Sequence, residues 1–199
     1  MTNEAHKEGW LLISTSASGA PDTLRVHIWR KLRSLGAVYL QQSVCLLPAR
    51  HDVVREIRRL SDRIRHQGGA VRVLSIAFTD PVDEQALIAE FNAARDAEYA
   101  EVLGRLPELH KELAFEQARG NATYAEVEES EADLARFHGW VAKIADRDYF
   151  IAEGGQAVRD AIEQAIAELA AFEDAALRAE APEPPPRIRV TPIRAVDSP

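Results

Sequence analysis

One cysteine, one methionine and the lack of any long apolar run are the first features of this 199-residue sequence. A helix that crosses a bilayer needs about 18 or more consecutive apolar residues, so no membrane span is expected. A lone thiol excludes a disulfide framework or a cysteine-based zinc site within one chain. Cys45 lies in the apolar run VCLL at residues 44–47, the setting of a small core side chain in a reduced, cytoplasmic protein. The polar, acid-bearing residues 1–8 carry no export signal. The six histidines, His6, His27, His51, His66, His110 and His138, never recur at the three- or four-residue helical spacing that a metal site needs. The pair Gly68 and Gly69 is too short to cradle a nucleotide phosphate. Neither metal nor cofactor is expected.

What is present suffices for a folded core, because 46% of the residues are apolar. The net charge of −8 conceals an asymmetry: residues 1–75 carry 12 Lys and Arg against 6 Asp and Glu, whereas residues 76–180 carry 9 against 24. A basic first third joined to an acidic remainder implies an anionic partner for the former, or pairing between the two.

The chain changes character near Asp80. WLLIST at residues 10–15 is an unbroken apolar strand suited to the middle of a sheet. Leu24, Ile28, Leu32 and Leu35 then recur at helical spacing, with Gly36 as the C-cap. AVYL (37–40) and SVCLLP (43–48) stand close enough together for a hairpin. A second helical stripe, Val53, Ile57, Leu60 and Ile64, ends at Gly68 and Gly69, and residues 71–78 form a fourth strand. The order βαββαβ is that of a ferredoxin-like domain over residues 9–80, with both helices on one face of an antiparallel sheet. The fold class is therefore α+β, with an antiparallel α-helical region over residues 81–180 packed on the sheet domain or across a dimer. Leu87, Phe91, Val102, Leu106, Leu109 and Leu113 suit one helix or two up to Gly120 and Asn121, with Gly104 and Pro107 as the place of a break if there are two. Residues 123–149 form a helix with an acidic start, Glu126 to Asp133, and Val158, Ile162, Ile166, Leu169 and Phe172 define a last one. The Pro-rich residues 181–199 form a flexible tail.

The second helix carries the candidate binding residues. Arg55, Arg58, Arg59, Arg63 and Arg65 lie opposite its apolar stripe, Arg50 leads into it, and Arg30 and Arg33 on the first helix extend the surface. Arginine suits phosphate because its planar fork donates paired hydrogen bonds and stays charged. Two readings are open: contact with a nucleic-acid backbone, or ion pairs with the acidic helices of the same chain or a partner. Trp10, Trp29 and Trp140 read as core or interface anchors, and Lys143, Arg147 and Asp148 as a buried ion pair or small polar site. Neither the run Ser14, Thr15, Ser16 nor Cys45 has a sequence-predictable catalytic partner, so no enzyme is expected.

Four pieces in order, WLLISTS at 10–16, I-W-R-x-L-x-x-x-G-A at 28–37, L-L-P-x-R at 46–50 and E-A-D-L-x-R-F-x-x-W-x-x-K-I-x-x-R-D-Y-F at 131–150, resemble the N-terminal region of the ChrB chromate-resistance regulators. The resemblance covers roughly residues 9–150. It implies a regulator or accessory factor of chromate resistance that binds DNA through its N-terminal part, is dimeric, and acts with or without a separate chromate-resistance protein. Members of that family continue into a second domain associated with chromate response, where this sequence has its Pro-rich tail. A more distant likeness is to the ferredoxin-like domain of PaaX-type repressors and of small CRISPR-associated nucleases. Those nucleases place a metal-binding Asp at the end of the first strand, where this chain has Ser14 and Thr15. The competing class is a non-catalytic protein-interaction module that binds neither DNA nor chromate. An enzyme acting on an oxyanion needs a deep pocket with convergent arginines.

Overall fold

The computed structural model describes residues 9–119 and 124–180; the expected tail, residues 181–199, lies outside them. The apolar run at the start becomes β1 (Trp10–Ser16), which lies between β3 (Val44–Pro48) and β4 (Ala70–Ile76) and is antiparallel to both. β2 (Val38–Gln41) pairs with β3 across the expected hairpin, so the sheet order is β2-β3-β1-β4. Two helices interrupt the strands, α1 (Asp22–Ser34) and α2 (His51–His66). Their buried residues include Leu24, Ile28 and Leu32 in the first and Val53, Ile57, Leu60 and Ile64 in the second, which are the stripes read from spacing.

Both helices stop for the same reason. Gly36 and Gly68 take φ of 71° and 80°, a region that glycine enters without a Cβ penalty. This lets Ala37 N donate to Leu32 O at 3.1 Å and Gly69 N to Ile64 O at 2.9 Å, the closing bond of a Schellman turn.

The pleat sorts β1 onto two faces. Leu11 and Ile13 pair with Leu47 and Cys45 on one side and with Ser75 and Val73 on the other. That face lies under α1 and α2, since Leu11 and Val73 line one cavity with Val54 and Ile57 of α2. Trp10 points to the opposite face. Its ring lies 5.6 to 5.8 Å from Phe78, Phe91 and Phe150, and its Nε1 donates to Glu84 at 2.7 Å.

Phe91 and Glu84 belong to α3 (Pro81–Arg119), 39 residues long, about 58 Å at 1.5 Å per residue. This helix serves two cores. Leu87 and Phe91 join the sheet core, whereas Tyr99, Val102, Leu106 and Leu109 join a second core with α4 (Tyr124–Ala145) and α5 (Gly154–Glu180). The contacts of Glu98 with Arg147 and Arg105 with Trp140 run α4 antiparallel to α3. Those of Asp96 with Gly154 and His110 with Glu168 run α5 parallel to it. No break falls at Gly104 and Pro107, because α3 continues through both. An interior proline costs about 3 kcal/mol, and the full burial of Val102, Leu106 and Leu109, at about 1.5–3 kcal/mol each, offsets it.

Gly36 joins the two halves as well as ending α1. A Cβ there would collide with the Arg95 guanidinium and stand 3.2 Å from Arg147 Cβ. Gly19 shares the positive φ, at 80°, but has no atom within 4 Å of such a Cβ. Gly36→Ala is therefore expected to lower unfolding stability by about 2–3 kcal/mol and Gly19→Ala by only about 1 kcal/mol, measured by urea denaturation. Equal losses would show that Arg95 yields freely.

Candidate functional site

α1 and α2 lie side by side on one apolar core, and Lys31 Nζ reaches Glu56 Oε2 at 2.7 Å across the gap. The lysine holds the Glu56 carboxyl below its ordinary range, by hydrogen bond and charge. His27, on the same flank of α1, is also pushed down, first by partial burial and then by Arg63 and Lys31. The two helices together carry nine Lys and Arg against four Asp and Glu, so their solvent face keeps a surplus of positive charge.

The candidate arginines divide into two groups. Arg59 is bound to Glu56 at 2.8 Å, Arg65 to Asp62 at 3.4 Å and Arg50 to Asp52 at 3.6 Å, each within α2 or at its start. Arg33 lies over the Trp29 ring, 5.1 Å from its centroid. Arg30, Arg55, Arg58 and Arg63 have no carboxylate within ion-pair distance among the described residues. The acids of residues 81–180 form no ion pair with α1 or α2 among the described residues, although Asp146 shares one groove with Lys31 and Arg55. Glu98 takes Arg95 and Arg147, Glu101 takes Arg105, Asp133 takes Arg136, and Glu168 takes His110. Among the described residues, neutralisation of the basic helices by the acidic half of the same chain is thus not found.

Helical geometry spreads the arginines rather than focusing them. Arg58 and Arg65 overhang a groove of about 570 Å³ between α2 and the edge strand β4. Arg55 lies toward the junction with Asp146 and Tyr149. His27 and Lys31 turn toward α2, while Arg25 and Trp29 occupy the far flank of α1, above β2. The result is a basic face spread over two helices. It lacks the convergent arginines of a deep oxyanion pocket.

Of the three tryptophans read as anchors, Trp10 is buried and Trp140 half-buried, but Trp29 is 48% exposed. The reason is its place on the wheel: it falls one step beyond Ile28, off the Leu24, Ile28, Leu32 stripe. Cys45 is buried and its thiol is pushed up to about 12 by that burial, which leaves it protonated and unreactive at neutral pH.

The residues singled out near the end of α4 form a junction. Arg147 donates to Glu98 at 2.7 Å and to the carbonyl of Lys143 at 2.7 Å. Asp148 accepts from Tyr99 OH at 3.2 Å and from Ala152 N at 2.9 Å. Tyr149 donates to Leu35 O at the end of α1, at 2.8 Å, and its ring lies under Arg50 at 5.6 Å. Ile151 takes a strained φ of 61° between half-buried Phe150 and buried Ala152. Sequence reasoning missed Arg95, whose side chain is 7% exposed and binds Glu98 at 3.1 Å. Its signal was a cation in an apolar slot, four residues from both Phe91 and Tyr99.

Comparison with known proteins bears on the whole arrangement. Residues 25–183 match a family model described as Protein ChrB, N-terminal. Protein ChrB of Cupriavidus metallidurans is 30% identical over 105 residues, which cover 53% of this chain and 32% of that protein. The aligned part thus spans about a third of the relative's length.

Tyr149 supplies a test of the junction. Burial, and then the Asp52 charge, push its hydroxyl up from 10.0 to about 12. A raised folded-state value means that the folded form holds its proton more tightly, so this stability is complete below pH 10 and is lost as pH rises toward 12. Tyr99, also raised to about 12, acts in the same sense. Alkaline unfolding followed by circular dichroism is expected between pH 10 and 12. Tyr149→Phe, which keeps the ring and loses the bond to Leu35, is expected to be less stable at pH 8 and to lose less between pH 10 and 12.

Proposed function

Because this chain belongs to the family of ChrB N-terminal regions, we propose that it is a regulator or accessory factor of chromate resistance that holds DNA against the solvent face of α1 and α2. One observation carries this reading: Arg30, Arg55, Arg58 and Arg63 keep their guanidinium groups free of carboxylates among the described residues, those of residues 81–180 included. Its cations are spread along two neighbouring helices, as suits a phosphate backbone better than a single small anion. The sheet reading that goes with it is ferredoxin-like. The element order βαββαβ, with β1 between β3 and β4 and both helices on the Leu11 face, supports it.

Binding of this kind releases condensed cations from DNA, so log affinity falls with log salt at about 0.9 per phosphate neutralised. Fluorescence anisotropy of a labelled promoter fragment from low to moderate salt is expected to show a steep slope. Arg30→Ala, Arg55→Ala and Arg63→Ala together break no ion pair within the described residues, so the melting temperature is expected to stay within a few degrees. The slope is expected to flatten by up to about 3. Failure to bind any fragment at low salt, or an unchanged slope in the triple variant, would refute the proposal.

A further inference from the structure

The flank of α1 that faces away from α2 carries something the backbone-contact reading does not use. Trp29, Val26 and Tyr39 are 48%, 46% and 37% exposed, and all three line one groove of about 590 Å³ between α1 and the β2–β3 hairpin. That volume is in the range of small-ligand sites. Three large apolar side chains left open together on one surface mark a contact site rather than scatter. The groove is also charged at its edge. Arg25, Trp29 and Arg33 follow one another at four-residue spacing on one strip of α1, with Arg33 over the Trp29 ring. Arg25 has only a loose contact with Asp22, at 3.8 Å between largely exposed side chains. Gln42 and Ser43 line the hairpin side, offering an amide and a hydroxyl that can meet donors or acceptors.

An occupant has to be flat enough to lie on an indole, small enough for the groove, and negatively charged nearby. A nucleotide unit has all three properties, and Arg25 in the groove lining and Arg33 over the Trp29 ring put positive charge beside the indole. We propose that the groove takes one unpaired nucleobase stacked on Trp29, with its flanking phosphates on Arg25 and Arg33. This rests on the nucleic-acid reading above and deepens it: the protein prefers single-stranded or locally opened DNA to an intact duplex, whose bases are already stacked on each other. Stacking on an aromatic ring tolerates every base because each has a π-face, so little sequence preference comes from this site.

The test uses the whole chain and its tryptophan emission. Trp10 is buried and Trp140 half-buried, so quenching by an added ligand reports mainly on Trp29. Oligothymidylate is expected to quench the emission, whereas an abasic oligonucleotide of equal length and charge is not. Trp29→Leu keeps an apolar side chain at a surface position and is expected to fold normally. It should weaken oligothymidylate binding about tenfold or more, leave binding of the abasic strand and of duplex nearly unchanged, and abolish the quenching; Trp29→Phe should recover part of the affinity. Equal affinity for the abasic and normal strands, or no loss in Trp29→Leu, would overturn the stacking site even if salt-dependent duplex binding persisted. Quenching by polyglutamate but not by oligonucleotide would overturn it in favour of an acidic protein partner. Loss of binding to every nucleic acid would remove both this inference and the reading beneath it.

Discussion

A guanidinium removed from water sits at the middle of this molecule, and most of the arrangement around it comes from the need to satisfy that group. Arg95 lies on α3 where the helix leaves the sheet core and enters the bundle core, with its side chain 7% exposed. An unpaired buried cation costs several kcal/mol. Glu98 supplies the opposing charge and is shared with Arg147, and the carbonyl of Arg147 lies 3.5 Å from Arg95. Room for the group exists because position 36 has no side chain. Burial pulls the Arg95 pKa down, the Glu98 charge opposes that shift, and the Arg147 charge adds to it. Two cations tolerated this closely require the carboxylate between them.

That node also acts on the opposite side of the protein. Arg147 is followed by Asp148 and Tyr149, and Tyr149 holds the end of α1 by its hydroxyl and the start of α2 by its ring. The basic helices are therefore fastened to the acidic half through the end of α1 and the start of α2. Acids of the helical half that face the junction, among them Glu84, Asp96, Glu98 and Asp148, are consumed by interior bonds. Others pair with cations on their own or a neighbouring helix. The ion pairs among the described residues thus form within each half, and none joins an acid of residues 81–180 to α1 or α2.

Periodicity in the sequence was enough for the elements of the first 80 residues, because each of their signals is local. The run at 10–15, the stripes from Leu24 and Val53, the glycines at 36 and 68 and the close spacing of the second and third strands each act within a few residues of themselves. A helix terminus needs only a residue that tolerates positive φ. The same locality leaves one helix or two open at Pro107, since the local penalty is legible in the sequence and the burial of Val102, Leu106 and Leu109 that outweighs it is not. For Trp29 the sequence leaves core and interface open, and its angular offset from Ile28 turns it outward.

The amino-acid order by itself determined the strands, the two amphipathic helices, the excess of arginine on their polar sides and the acidic character of residues 76–180, since all of these are properties of neighbours along the chain. Only the tertiary structure decided which arginines stay unpaired, that Arg95 is buried against Glu98 and Arg147, and that Trp29 opens onto a groove beside Tyr39. Those outcomes depend on partners 10 to more than 100 residues apart. An electrostatic contact between two side chains is set by their distance in space, which the spacing of residues in a chain does not contain.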